Sequence, residues 1–466
     1  MNSRFLQPLT PASDVLPLKR KTKQGKKHYC LMIIIVGDDT MNDFMQNHEN
    51  KLTMRTLLLQ LLVLLLATGL LLSCGSSSSD STPAPPPVAG DLVSWSPAGT
   101  INAASLNAAI IAAGMTGFTA LSDVSCYKLT YKTPDASAAL INASGLVCLP
   151  AARSGGNPVL SYQHGTIFQD SDAPSSFLTS AEGLVGAVFA AIGYIAVLPD
   201  YIGYGDSTAL LHPYIHAATL ASATVDMNRA ARVFLREPGI NMATNGQLFL
   251  AGYSEGGYAT LATQRLMEQS LSAEFPITAS EAGSGPYDLS GTTQTILGLT
   301  TQPSPAFVGF VFAAYDSLFS PSSQLAYYFS SAYAPVVATY FGGSYSRNQI
   351  TAALGGSDVL TSELFNPAFI AGYLGSGETA LKTYIAENNI YNWAPAVPTR
   401  LFHGQEDDVV PYANTTTAKT AMDANGSTMV TVVNCVAGTS TTTHNNCIEP
   451  FAIDVVTYFK TLATGL

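Results

Sequence analysis

The chain has 466 residues, of which 47% are hydrophobic and only 11% are charged, and its net charge is −11. This length exceeds that of an ordinary small domain and fits one large α/β domain with an insertion. Residues 91–466 carry twenty-six acidic and twelve basic side chains. Because an acidic surface repels phosphate backbones, we exclude nucleic acid as a partner. The low charge fraction is typical of an envelope or secreted protein.

An export signal is predicted over residues 54–73. Met54 and Arg55 precede an apolar run that continues to Leu72 and ends at Ser73 and Cys74, which is the order of a cleavable signal. Residues 71–74 resemble the lipobox of bacterial lipoproteins. That resemblance implies that Cys74 is lipidated. The protein would then be anchored in the bacterial cell envelope, at the outer membrane, or would be secreted. The alternative is a transmembrane anchor, since the run is near the lower limit of about 17 residues for spanning.

The segments on either side of this signal have no pattern of a folded core. Residues 1–53 contain a basic cluster and no hydrophobic periodicity, so we expect either a misassigned start, with translation beginning at Met54, or a disordered cytoplasmic extension. Residues 74–90 are rich in serine and proline, which is typical of a tether. We therefore expect the folded body to begin near residue 91.

Four cysteines lie in that body: Cys126, Cys148, Cys435 and Cys447. An even number in an exported protein predicts two disulfides. Proximity in sequence favours Cys126–Cys148 and Cys435–Cys447, although four cysteines allow three pairings. Buried free thiols are the alternative.

Residues 91–286 and 393–466 alternate strand and helix patterns, which predicts a mostly parallel sheet flanked by helices. Between them, residues 287–392 lose the strand pattern and are rich in aromatic side chains. A segment this long must have structure of its own, so we expect a helical cap inserted between late strands. The strands are predicted at 124–129, 138–149, 158–163, 194–199, 248–253, 277–279, 399–402 and 429–433, and long helices at 214–236 and from residue 450.

Ser254 is the predicted nucleophile. It lies in a Gly-x-Ser-x-Gly motif between an apolar strand and a helix, where Gly252 and Gly256 leave room for a sharp turn. A serine hydroxyl needs a base within hydrogen-bond reach, and the base needs an acid to orient it. In this arrangement the acid and then the histidine follow the serine along the chain.

Asp407 and His444 are the predicted acid and base. Asp407 follows the strand at 399–402, and the carboxyl ends of strands carry the sites of such sheets; Asp408 is its rival. His444 is the one histidine after Asp407. A disulfide between Cys435 and Cys447 would close its loop and hold the imidazole in place.

Two backbone N–H groups are expected to stabilise the oxyanion of an acyl-transfer reaction. One is that of Glu255, directly after the nucleophile. The other is that of Thr166, in the loop after the strand at 158–163, with Ile167 as the alternative. His164 precedes the serine, and we expect its role to be structural.

Together these motifs resemble the α/β-hydrolase fold, and more narrowly its secreted lipases and esterases. The resemblance implies hydrolysis of carboxylic esters through an acyl-enzyme, with no metal and no organic cofactor. The substrate is then a small apolar ester or lipid, and the few charges in residues 287–392 favour apolar acyl groups. An exported serine peptidase of the prolyl-peptidase kind and a non-catalytic surface-binding lipoprotein are the alternatives. The sequence contains no His-Glu-x-x-His or Cys-x-x-Cys motif, so nothing in it indicates a metal hydrolase.

Overall fold

The computed structural model describes residues 86–112, 117–151, 156–320, 322–436 and 441–466. These residues belong to one compact unit that spans Pro85–Leu466. The predictions for residues 1–53, for the signal at 54–73, for Cys74 and for most of the tether lie outside the described residues. Among the described residues, no helix combines the length and hydrophobicity needed to cross a membrane.

A nine-stranded sheet forms the centre, in the order β1-β2-β3-β5-β4-β6-β7-β10-β11. Strands β1, β2 and β3 run antiparallel at one side, and β5, β4, β6, β7, β10 and β11 are parallel to one another. A separate pair, β8 and β9, is antiparallel. The strands are β1 (Leu92–Ile101), β2 (Val124–Pro134), β3 (Leu140–Pro150), β4 (Asn157–Gln163), β5 (Ile195–Pro199), β6 (Thr244–Tyr253), β7 (Ile277–Gly283), β8 (Thr301–Gln302), β9 (Val359–Leu360), β10 (Thr399–His403) and β11 (Val430–Asn434).

Helices cover both faces of the sheet, and a second group of helices lies in the segment between β7 and β10. The helices outside that segment are α1 (Ala103–Ala112), α2 (Ala181–Ala191), α3 (Ala217–Phe234), α4 (Glu255–Ser270), α13 (Ala413–Ala424) and α14 (Ile448–Leu462). Those between β7 and β10 are α5 (Leu289–Leu297), α6 (Pro305–Phe319), α7 (Leu325–Tyr328), α8 (Ala334–Tyr340), α9 (Arg347–Ala353), α10 (Thr361–Leu364), α11 (Pro367–Leu374) and α12 (Thr379–Glu387).

Strand β6 shows how the sheet divides the hydrophobic core. Leu248 and Leu250 face α3 and α4, whereas Phe249, Ala251 and Tyr253 point into the cluster that contains α2 and α14. Successive side chains alternate between the faces of a strand. Both faces are apolar, as expected for parallel strands buried between two layers of helices.

The architecture confirms the predicted α/β fold with a mostly parallel sheet, and corrects some boundaries. The expected opening hairpin is preceded by β1, whose ten residues are all exposed or half-buried, so its apolar pattern is weak. Helix α3 is shorter than the predicted 214–236 range. Strand β7 continues past Ala279 to Gly283.

Candidate active site

The carboxyl ends of the parallel strands meet at one edge of the sheet, and the predicted site residues follow them. Ser254 comes directly after β6, and Asp407 comes four residues after β10. His444 lies in the turn before α14, close to the end of β11 along the chain. Parallel strands therefore bring together residues that are up to 190 positions apart.

Ser254 occupies a strained turn between β6 and α4. Its φ is 61° and its ψ is −122°, a conformation that is costly for a residue with a Cβ. The turn requires its two glycines. A Cβ on Gly252 would lie 2.5 Å from the carbonyl oxygen of Gln163, and one on Gly256 would lie 2.7 Å from that of His164. The loop after β4 thus packs directly against the turn.

A chain of hydrogen bonds links the three predicted residues. The Ser254 hydroxyl lies 2.9 Å from Nε2 of His444, and Nδ1 of the same ring lies 2.7 Å from Oδ2 of Asp407. An ionised carboxylate only accepts hydrogen bonds, so Nδ1 carries the hydrogen and Nε2 is free to accept from Ser254. Asp408, the rival acid, instead accepts the backbone N–H of His444 at 3.1 Å.

The Asp407 carboxyl group is buried and fully hydrogen-bonded. Oδ1 accepts the N–H groups of Val409 and Val410 at 2.9 and 2.8 Å. Oδ2 contacts His444 and also lies 3.2 Å from Nε2 of His403. Burial by itself would raise the pKa of Asp407, but the hydrogen bonds from His403 and His444 outweigh it and hold the pKa well below its usual range. Asp407 is therefore ionised at neutral pH.

The loop that carries His444 is tied down at several points. Both predicted disulfides are present, and the Cys435–Cys447 bond closes this loop. The Tyr253 hydroxyl donates to the His444 carbonyl oxygen at 2.8 Å, and the two rings lie 5.1 Å apart. Tyr253 is the first unspecified residue of the Gly-x-Ser-x-Gly motif, so the motif does not predict this contact.

The predicted oxyanion donors lie on the two segments that pack together at the turn. Glu255 begins α4, so its N–H is among the first four of that helix and has no partner within it. Thr166 lies in the loop after β4, and its hydroxyl is 3.0 Å from that of Tyr214. His164 is buried, with its ring nitrogens against the carbonyl oxygens of Gly165 and Asp200 at 2.7 and 3.2 Å.

Sequence reasoning missed a buried contact at this turn. The Glu255 side chain is buried and pairs with His212 at 2.7 Å. A glutamate directly after the predicted nucleophile was the available signal. His212 lies in the loop after β5 and carries no motif of its own.

An apolar cleft opens in front of Ser254. Helices α5 and α6 form one wall, and the loop after β10 forms another. The described residues contain no group of His, Cys, Asp or Glu side chains arranged to hold a metal ion. The cleft is lined by Ser254, Glu255, Tyr214, Ile215, Pro286, Leu289, Thr292, Thr293, Ile296, Leu297, Phe307, Val308, Val311, Phe312, Val409 and Val410.

Residues 169–453 match the family profile described as secretory lipase. The chain belongs to the secretory lipase family. The match includes Ser254, Asp407 and His444, and no curated protein sequence matches the chain.

Solved structures agree with membership of the secretory lipase family. The rice cell wall degrading esterase LipA from Xanthomonas oryzae is 26% identical, with a TM-score of 0.71, and the match covers 81% of this chain and 100% of that one. A ligand-bound form of the same esterase is 27% identical, with a TM-score of 0.73 over 81% and 100% of the two chains. Candida antarctica lipase A shares the fold at 17% identity, with a TM-score of 0.55 over 74% and 76%. This secretory lipase is accordingly a carboxylic ester hydrolase with an α/β-hydrolase fold, and its substrate is an ester or lipid.

Proposed function

We propose that Ser254, His444 and Asp407 are the catalytic triad of this ester hydrolase. The observation that carries the proposal is the continuous chain from the Ser254 hydroxyl through both ring nitrogens of His444 to Asp407, with distances of 2.9 and 2.7 Å. These distances are within the range for a base that takes a proton directly. The strained turn adds support, because strain at a nucleophile is retained where the chemistry needs it.

In the proposed reaction, Nε2 of His444 takes the Ser254 proton as the oxygen attacks the ester carbonyl carbon. Asp407 holds the imidazole and stabilises its charged form. The N–H groups of Glu255 and Thr166 donate to the oxyanion of the tetrahedral intermediate, and losing one such donor typically costs about 2.7–4 kcal/mol. His444 then protonates the departing alcohol. Water, activated by the same ring, releases the acid from Ser254.

The cleft suggests the kind of acyl group. Its walls along α5 and α6 are aliphatic and aromatic, with Thr292 and Thr293 as the polar side chains of that part. Burying an acyl chain there gains about 25 cal/mol per Å² of apolar surface. Residues 287–392 would form a helical cap on the catalytic domain of residues 91–286 and 393–466. The cap would provide most of the binding site for the acyl group, and the segments after the sheet strands would provide the triad.

A Ser254→Ala variant tests the triad. It is expected to lose turnover of a p-nitrophenyl ester and labelling by a fluorophosphonate while keeping the wild-type melting temperature. Ser280→Ala is a matched control, since Ser280 is also buried, in the neighbouring strand β7, and its hydroxyl has no hydrogen-bond partner among the described residues. Turnover by Ser254→Ala would refute the assignment.

A panel of chromogenic esters from two to sixteen carbons, with matching amides, tests the substrate class. Because the cleft is apolar, we expect kcat/KM to rise with acyl length until the cleft is filled, and esters to be cleaved far faster than amides. Preference for the amides would favour a serine peptidase instead.

We also propose that the protein is lipid-anchored through Cys74 in the bacterial cell envelope, at the outer membrane. The sequence at 71–74 and the Ser/Pro-rich segment after it support this proposal. Detergent phase partition of the full chain tests it. The wild type is expected in the detergent phase and Cys74→Ser in the aqueous phase, and equal partition of the two would refute the anchor.

A further inference from the structure

A buried acid–base pair adjoins the proposed nucleophile. The Glu255 side chain is fully buried and that of His212 is 2% exposed, and Oε1 of the glutamate lies 2.7 Å from Nε2 of the ring. The other carboxyl oxygen, Oε2, is buried and has no hydrogen-bond partner among the described residues. A buried carboxylate with so few partners is costly. His212 is therefore the group that compensates it.

The hydrogen bonds of His212 determine the charge of the pair. Nδ1 lies 2.6 Å from the carbonyl oxygen of Ile202, which only accepts, so Nδ1 carries a hydrogen. The contact between Nε2 and Oε1 then needs one further proton, on either atom. The pair is an imidazolium with a carboxylate, or an imidazole with a carboxylic acid. Both forms have zero net charge.

Aromatic rings fix the position of the imidazole. Its centroid lies 4.7 Å from that of Tyr204 and 5.9 Å from that of Tyr201, with Phe310 edge-on at 5.7 Å. Such rings exclude water and interact favourably with a cation over their faces. The pair thus joins the loop after β5 to the first residue of α4.

The charge of Glu255 bears directly on the proposed chemistry. Its backbone N–H is a proposed oxyanion donor, so its carboxyl group lies within one side-chain length of the negative charge that develops on the ester. Like charges this close, in a site that excludes water, repel strongly. We propose that His212 is a positioning residue that neutralises Glu255 and so prevents the carboxylate from opposing the oxyanion. This inference rests on the proposed role of Ser254.

Other titratable groups face the pair. Burial raises the pKa of the surrounding tyrosines, so they stay neutral across the range of an esterase assay. Burial also raises the pKa of Glu182. Ser254, which contacts His444, lines the same cleft as Glu255. The surrounding groups are Tyr201, Tyr204, Tyr214 and Glu182, together with Asp170 and Asp316, which line the same surface hollow as His212.

The test compares the pH profiles of kcat for wild type, His212→Phe and the double variant His212→Phe/Glu255→Gln. In His212→Phe the carboxyl group ionises without a counter-charge as the pH rises. We expect kcat at alkaline pH to fall about tenfold or more, with KM little changed. The ratio of the wild-type kcat to that of His212→Phe should therefore increase as the pH rises. The double variant should recover much of the loss, because an amide cannot ionise.

His216→Phe is the matched control, because His216 lies four residues away and bonds to Thr219 rather than to the site. Its pH profile should follow that of the wild type. If His212→Phe does not fold, His212→Gln retains a donor without a charge and should show the same pH-dependent loss. A pH profile of wild-type shape in the folded His212 variant, or a double variant no more active than the single one, would overturn the inference. Failure of the triad itself is distinguished by Ser254→Ala, which would then retain turnover.

Discussion

The disulfide between Cys435 and Cys447 is predicted to matter for catalysis as well as for stability. It joins residues 12 positions apart on either side of His444, whereas the other bond joins Cys126 and Cys148, which are 22 apart. In the chain-entropy treatment, removing either bond costs about 3 kcal/mol of unfolding free energy, since the effect depends only weakly on loop length. Ser replacements at each pair should therefore lower stability by similar amounts.

The two double variants should differ sharply in activity. Cys126 and Cys148 face each other on the adjacent strands β2 and β3, away from the triad, so their loss should leave kcat of the folded enzyme unchanged. Without the other bond, the His444 loop keeps its hydrogen bonds from Tyr253 at 2.8 Å and to Asp408 at 3.1 Å. We therefore expect a kcat loss of about tenfold, and no more than about 100-fold, which corresponds to about 2.7 kcal/mol.

The assay measures melting temperature, the fraction of active sites by fluorophosphonate titration, and kcat per titrated site, well below both melting transitions. The Cys435→Ser/Cys447→Ser variant should bind the probe more slowly and turn over more slowly, while the Cys126→Ser/Cys148→Ser variant matches the wild type per site. A kcat per titrated site that is the same in the two variants would refute the proposal that this bond positions His444.

Three further predictions follow from single side chains. Asp407→Asn should lower kcat by about 10⁴-fold, because an amide no longer selects the reactive tautomer of His444, and an unchanged kcat would exclude Asp407 as the acid. It should also lower the melting temperature at neutral pH, because the ionised carboxylate is stabilised by hydrogen bonds in the folded state. Tyr253→Phe removes one hydrogen bond to the His444 carbonyl and should cost about 1 kcal/mol in stability with a several-fold loss of kcat, and a loss of stability with unchanged kcat would limit its role to structure. Glu281 is buried without a hydrogen-bond partner among the described residues, and burial, with Asp454 beside it, raises its pKa. The folded state therefore retains a proton that the unfolded chain releases, so stability should fall as pH rises above the usual glutamate range, and Glu281→Gln should abolish that slope in melts from acidic to neutral pH.

Much of the site was readable from local sequence. Ser254 was marked by the glycines that its turn requires, and the structure shows both glycines against the loop after β4. The order after the serine selected His444 and the neighbouring residues Asp407 and Asp408 from many candidates, and the hydrogen-bond chain joins Ser254, His444 and Asp407. Local sequence sufficed there because each residue lies in the segment that follows a parallel strand, and the carboxyl ends of these strands meet at one edge of the sheet.

The contacts that hold the carboxyl groups of Asp407 and Glu255 could not be predicted from local sequence. His403 and His212 each contact a carboxylate of the site, yet neither lies in a motif that indicates such a role. Strand β1 was also missed, because a sheet-edge strand in which no residue is buried has no strong alternation of polar and apolar residues. Such features depend on what lies opposite a residue, which no local pattern records.

The sequence by itself determined the fold class and indicated the proposed nucleophile and the order in which the proposed acid and base follow it, because hydrophobic alternation and glycine positions act over a few residues. Only the tertiary structure decided which aspartate faces His444, since Asp407 and Asp408 are neighbours whose side chains point to different atoms of that residue. It also decided that Glu255 meets His212 across 43 positions of the chain. Pairs of this kind form when segments that are distant in sequence pack together. A charge that is buried there without a partner would destabilise the folded state.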